Sequence, residues 1–188
     1  MKNLKTIAIA VLAFVSVAAT AQNKKINVSK STVTWVGKKV TGQHEGTVKL
    51  QDGILMMKGG KLTGGSFTVD MTSIEDTDLK AGQGKEKLEG HLKSEDFFAT
   101  EKFPTATMVF KTIAAKGKGV YTVTADLTIK GQTNPVKFDL TVGANSATSK
   151  FNIDRTKYDV KYGSGSFFQN LGDKTISDEF EVAVNLVF

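Results

Sequence analysis

A strict two-residue alternation of apolar and polar side chains constrains this chain more than any other feature. Along residues 120–130, Tyr121, Val123, Ala125, Leu127 and Ile129 fall on one face, and Thr122, Thr124, Asp126, Thr128 and Lys130 on the other. A period of two is the signature of an extended strand with one buried side. Residues 135–142 repeat it, with Val136, Phe138, Leu140 and Val142 set against Lys137, Asp139 and Thr141. The polar turn Gly131-Gln132-Thr133-Asn134 lies between them, so the two runs predict a hairpin. Over residues 180–188, Phe180, Val182, Val184, Leu186 and Phe188 share one side. Further strands are expected at residues 31–39, 46–51, 54–58, 62–71, 105–115 and 147–155. Short strands punctuated by Gly, Asn and Asp predict an all-β sandwich or barrel. One short helix is expected at residues 85–94, where Leu88, His91 and Leu92 share a face at spacings of three and four.

Residues 1–21 stand apart from the fold. Lys2 and Lys5 precede an uncharged apolar run from Ile7 to Ala19, and Ala19-Thr20-Ala21 offers a small-residue cleavage pattern. This reads as a cleaved signal peptide, and the run is short for a bilayer span. The expected mature domain is residues 22–188, in a periplasmic or secreted setting. Removing Lys2 and Lys5 lowers the formal charge from +6 to +4. The remaining lysines are scattered among carboxylates and Arg155 is the single arginine, so nucleic acid is not an expected partner.

With no cysteine in the chain, disulfides, thiolate nucleophiles and cysteine metal sites are excluded. The two histidines, His44 and His91, lie far apart, and a histidine metal site would need carboxylates in its remaining positions. No metal site is assigned on that basis. His44 sits in a turn-like Gly42-Gln43-His44-Glu45-Gly46 segment and is expected to be exposed. The carboxylate pairs Asp76/Asp78 and Glu95/Asp96 could in principle do acid–base work on an apolar substrate. Adjacent carboxylates at loops and helix ends are ordinarily solvated, and no enzyme is expected.

One apolar face per strand fits two architectures. In a soluble barrel that face points inward; in an outer-membrane barrel it meets lipid and the polar face lines the lumen. The strands are short and Tyr and Trp together number four, which is thin for two aromatic girdles. The soluble form is favoured, without stable membrane insertion.

Three blocks make the reading more specific. They are Gly65-Ser66-Phe67-Thr68-Val69-Asp70-Met71-Thr72-Ser73-Ile74; Leu88-Glu89-Gly90-His91-Leu92-Lys93-Ser94-Glu95-Asp96-Phe97-Phe98 with Phe103-Pro104-Thr105-Ala106-Thr107; and Leu127-Thr128-Ile129-Lys130-Gly131 joined to Phe151-Asn152-Ile153-Asp154-Arg155-Thr156 and Tyr162-Gly163-Ser164-Gly165. Over about residues 29–188 the chain resembles the YceI-like family of exported polyisoprenoid-binding proteins. The resemblance implies a lipocalin-like antiparallel β-barrel of about eight strands, with the helix near its mouth. It also implies a long internal cavity for a polyprenyl chain or a quinone tail, and no catalytic reaction. The loop from Gly163 to Lys174 departs from some relatives and is read as shaping the mouth.

Such a ligand binds through apolar area, at about 0.8 kcal/mol per buried methylene. The candidate lining is Phe67, Val69, Phe110, Tyr121, Val123, Leu127, Phe138, Phe151, Phe180, Val182 and Val184, with Leu88, Leu92 and Phe97 from the helix region. His91 and Arg155 are the polar candidates. Arg155 shares parity with Phe151 and Ile153 and points to the apolar side, where a cation needs a partner. Asp178, in parity with Phe180, is the expected one.

Overall fold

Extended segments dominate residues 21–188, the part of the chain that the computed structural model describes. They are β1 (Ala21–Lys25), β2 (Thr32–Lys39), β3 (Gly42–Lys58), β4 (Lys61–Asp76), β5 (Thr105–Gly117), β6 (Val120–Ile129), β7 (Gln132–Val142), β8 (Ser146–Asp154) and β9 (Ile176–Val187), with the helix α1 (Lys85–Lys93) between β4 and β5. The expected leader lies, apart from Ala21, outside the described residues.

All strand pairings are antiparallel. β2 through β9 pair in sequence, and β9 returns to β2 through Thr32↔Asn185 to Gly37↔Phe180, closing an eight-strand barrel. β1 continues the course of β2 along the same edge of β3, pairing Ala21–Lys25 with Ile54–Lys58. Closure pairs strand edges with one another instead of leaving them to solvent.

Alternation governs which face is inside. β6 is buried at every second residue along its whole length, from Tyr121 to Ile129. The outward face carries cross-strand ion pairs, Lys111–Asp126 at 3.4 Å, Lys116–Asp139 at 2.6 Å and Lys150–Glu181 at 2.8 Å.

Three expectations are corrected. Residues 46–51 and 54–58 are not two strands but parts of the single 17-residue β3, whose register against β4 shifts at three places. Those irregularities bend one long strand across two neighbours, and Gly53 continues the ladder opposite Phe67. The β6–β7 turn is not the four residues Gly131 to Asn134 but only Lys130-Gly131, since Ile129 already pairs with Gln132. Both turn residues have positive φ, 50° and 74°, the condition for a type I′ hairpin whose twist suits its flanking strands. Finally, Arg155 opens a short 3₁₀ turn (Arg155–Tyr158) rather than ending β8.

The interior divides into two packed regions. One, at the helix end, gathers Trp35, Met71, Ile74, Leu92, Phe97 and Phe98 with neighbours from β6, β8 and β9. The other, at the end where β1 joins, packs Ile26, Leu55, Leu62, Tyr121, Val123 and Leu140. Trp35 reaches across β3 because Gly46 has no side chain; a Cβ there would collide with its ring and with the Glu75 carbonyl.

Candidate functional site

A cavity of about 200 Å³ with almost wholly apolar walls occupies the helix-end half of the barrel and reaches its middle. Alternation on β4, β5, β6, β8 and β9 aims side chains into it from all round, and α1 with the segment after it lays Leu92, Phe97 and Phe98 over one end. Thr107, Ser149, Ser177 and Arg155 bring the few polar groups in its wall. Few polar groups in a largely apolar concavity is the pattern of small-molecule sites.

Twelve of the sixteen residues singled out from the sequence come together on this wall: Phe67, Val69, Leu92, Phe97, Phe110, Leu127, Phe138, Phe151, Arg155, Phe180, Val182 and Val184. Four lie elsewhere. Tyr121 and Val123 point inward as expected but sit in the filled end, Val123 fully buried and Tyr121 with its hydroxyl accepting the Leu62 N–H at 3.3 Å. Parity says which face a residue is on, not how deep along the barrel it falls. Leu88 is half-buried against the helix-end core. The His91 ring stands edge-on between Phe97 and Tyr162, with centroids 4.9 and 4.5 Å away, and its Nε2 lies 3.6 Å from Asp96 Oδ2. It seals the seam between helix and loop.

Sequence reasoning left out Trp35, Phe98, Met108 and Ile129, all of which line the cavity. The signal for Ile129 was present, since it shares parity with Leu127. Trp35 and Phe98 depend on strand tilt and on the fold of the segment after α1, which no short-range pattern encodes.

Arg155 lines the cavity while its guanidinium is turned to the backbone of the loop that follows. Nε donates to the Ser177 carbonyl at 2.8 Å, one terminal nitrogen to Val160 at 2.8 Å and Tyr162 at 2.9 Å, and the other to Ile176 at 3.1 Å. A guanidinium has five N–H donors, and four are taken by carbonyls. Asp178, the expected partner, is 3.7 Å away, an ion pair without a close hydrogen bond. Residues 160–162 and 176–177 are thereby clipped together, and the loop between them exposes Phe167 and Phe168.

At one side of the barrel the wall is thin. β7 and β8 pair only through Leu140–Val142 and Ala147–Ser149. Below that, Phe138 and Phe151 stack across the seam with centroids 4.6 Å apart and planes 17° from parallel. Both line the cavity.

The carboxylates weighed for acid–base work are outside this wall. Glu95 and Asp96 are exposed, as expected. Asp76, expected in solvent, is instead fully buried at the end of β4, and His44 is half-buried beside it.

Among solved structures, the chain is similar to BcnA of Burkholderia cenocepacia, with a TM-score of 0.70 and 26% identity over 87% of this chain and 99% of that one. A polyisoprenoid binding domain from Saccharophagus degradans, implicated in plant cell wall breakdown, superposes with a TM-score of 0.58 at 14% identity, covering 89% and 97% of the two chains; this likeness is one of fold. Among curated proteins, a UPF0312 protein of Shewanella denitrificans is 33% identical over 79 residues, 38% of this chain and 41% of its own length. A UPF0312 protein of Pseudomonas putida is 31% identical over 96 residues, 51% and 47% of the respective chains. The chain thus spans less than half the length of these curated relatives. The model of the YceI-like domain matches residues 25–188, the whole barrel from the end of β1 to the last residue of the chain, and the chain belongs to that family.

Proposed function

We propose that this protein binds a long apolar lipid, an isoprenoid chain or a quinone tail, inside its barrel, and carries or stores it without chemical change. The observation that carries the reading is the apolar cavity of about 200 Å³ at the helix end. An engineered cavity of about 150 Å³ lined by Leu, Ile and Phe stays dry and takes up benzene, so a wall like this one favours hydrocarbon over water. The fold neighbour from Saccharophagus degradans is described as a polyisoprenoid binding domain, which supports the same ligand class. A chain too long for the cavity has the Phe138–Phe151 seam as its route outward, because so few backbone pairs hold β7 to β8 there. The export pattern in residues 1–21 supports a role in the periplasm or outside the cell.

The charged outward face opposes an outer-membrane barrel, whose outward band must be apolar. The test is to express the full chain, purify it without detergent, extract it with organic solvent and identify the extract by mass spectrometry. An isoprenoid or quinone at near-stoichiometric amount is the expected result. A barrel that yields no lipid and takes up no added polyprenol or quinone would overturn the reading.

A further inference from the structure

Where β3 begins and β4 ends, three side chains able to ligate a metal converge outside the lipid cavity. Gly46 pairs with Asp76, which brings His44 over the segment leaving β4. Asp76 Oδ1 accepts the Leu79 N–H at 2.7 Å, and Asp78 Oδ1 accepts the Glu45 N–H at 2.9 Å. The Thr77 N–H donates to the Glu45 carbonyl at 2.9 Å and ties the two segments together. Each carboxylate therefore has one oxygen fixed by backbone and turns the other toward the same imidazole nitrogen. His44 Nδ1 is 3.0 Å from Asp78 Oδ2 and 3.9 Å from Asp76 Oδ2.

Asp76 Oδ2 has no hydrogen-bond partner although the Asp76 side chain is 0% exposed. A buried oxygen left in that state is costly, and a bound cation or a proton would relieve it. The nearby cation does not: Lys85 Nζ is engaged by Glu75 at 2.8 Å and Glu89 at 3.7 Å. Burial raises the Asp76 carboxyl above its ordinary range, helped by the neighbouring Asp78 carboxylate and opposed by the Leu79 N–H.

We propose that His44, Asp76 and Asp78 form a site for a divalent first-row transition cation of the zinc type. Zinc bonds of about 2.0–2.2 Å to nitrogen and oxygen put tetrahedral ligands roughly 3.4 Å apart. The two distances from His44 bracket that spacing, and the three ligating atoms all lie within 4.8 Å of one another. One imidazole nitrogen with two carboxylate oxygens suits zinc or its neighbours better than calcium or magnesium, which prefer all-oxygen shells. His44 and Asp78 side chains are 29% and 31% exposed, so a cation can enter and keep water in a fourth position. The Asp76 N–H donates to Glu89 Oε1 at 3.0 Å, which steadies the buried ligand from behind. None of the three residues lines the apolar cavity, so this site stands or falls separately from the lipid reading.

The test is calorimetric titration of the full chain with Zn(II), with Co(II) absorption as a readout of four-coordinate geometry. Expected are one equivalent bound and at least a tenfold weaker affinity in both His44→Ala and Asp78→Asn. Both side chains are partly exposed, so these variants should keep the wild-type circular dichroism spectrum. Asp76→Asn retains an acceptor for Leu79 and should lose binding too; if it fails to fold, the two exposed variants decide. The proposal is overturned if the wild type shows no saturable uptake from micromolar to millimolar metal, which would leave a proton shared between the aspartates as the occupant. It is equally overturned if His44→Ala and Asp78→Asn bind as the wild type does.

Discussion

Arg155 illustrates how a residue's role is set by where its hydrogen bonds go. It is 3% exposed, and four of its donors meet carbonyls on both sides of the loop that follows. Arg155→Met would strand those acceptors, and a loss of about 3–5 kcal/mol is expected, in the range for a broken buried charge network. Urea unfolding measures it, and a loss under about 1 kcal/mol would return Arg155 to the list of ligand contacts. Tyr158 is the second informative residue: it is 1% exposed, its hydroxyl has no partner, and burial, with the Asp154 carboxylate assisting, pushes its pKa from 10.0 up to about 12. The unfolded chain ionises this phenol near pH 10, while the folded protein holds the proton until about 12. Stability is therefore intact below pH 10 and falls between 10 and 12, by roughly 2–3 kcal/mol if the full shift applies. Ultraviolet titration of the native protein should show a tyrosine step near pH 12, and Tyr158→Phe should abolish it.

At the scale of elements, hairpin β6–β7 shows what local patterning can and cannot specify. Its two strands were legible residue by residue, because a period of two with one buried face has no helical counterpart. The turn was not, since Gln132, Thr133 and Asn134 are polar and read as loop, yet they extend β7 opposite β6. Gly131 is the residue that permits the tight turn, and a Cβ there would also come 2.9 Å from the Phe103 ring. Gly131→Val is expected to cost about 1–2 kcal/mol from the left-handed backbone alone, and more if Phe103 cannot move. Thermal unfolding should register this as a fall in Tm, whereas Thr133→Ser, which keeps the hydroxyl that meets Thr128 Oγ1 at 2.8 Å across the hairpin, should leave Tm nearly unchanged. Likewise, the alternation of β3 was visible but its continuity was not, because Asp52 and Gly53 look like a turn in sequence and are bridged here by register shifts against β4.

For the whole molecule, the division between a filled and a hollow end is the property that matters. Leu55 is 0% exposed in the filled end, and Leu127 faces the cavity. Truncating Leu55 opens a new void in close packing, for which about 3–5 kcal/mol is expected. Truncating Leu127 enlarges a space that already exists, and atoms facing a void have fewer contacts to lose. Leu127→Ala should accordingly cost at least about 1 kcal/mol less than Leu55→Ala in denaturant titrations. Equal losses would mean that the helix end is packed solid in solution.

The sequence by itself determined the strand faces, the helix, the inward direction of Arg155 and most of the residues that surround the cavity, because side-chain direction in a strand follows from chain geometry over a few residues. Only the tertiary structure decided how deep along the barrel each inward residue falls, which is why Tyr121 and Val123 fill one end while Leu127 borders a space. It alone also brought His44 to Asp76 and Asp78 across the start of β3 and the end of β4. Depth and cross-strand meetings depend on strand tilt, bulges and register between segments tens of residues apart, and those are settled by packing the barrel as a whole.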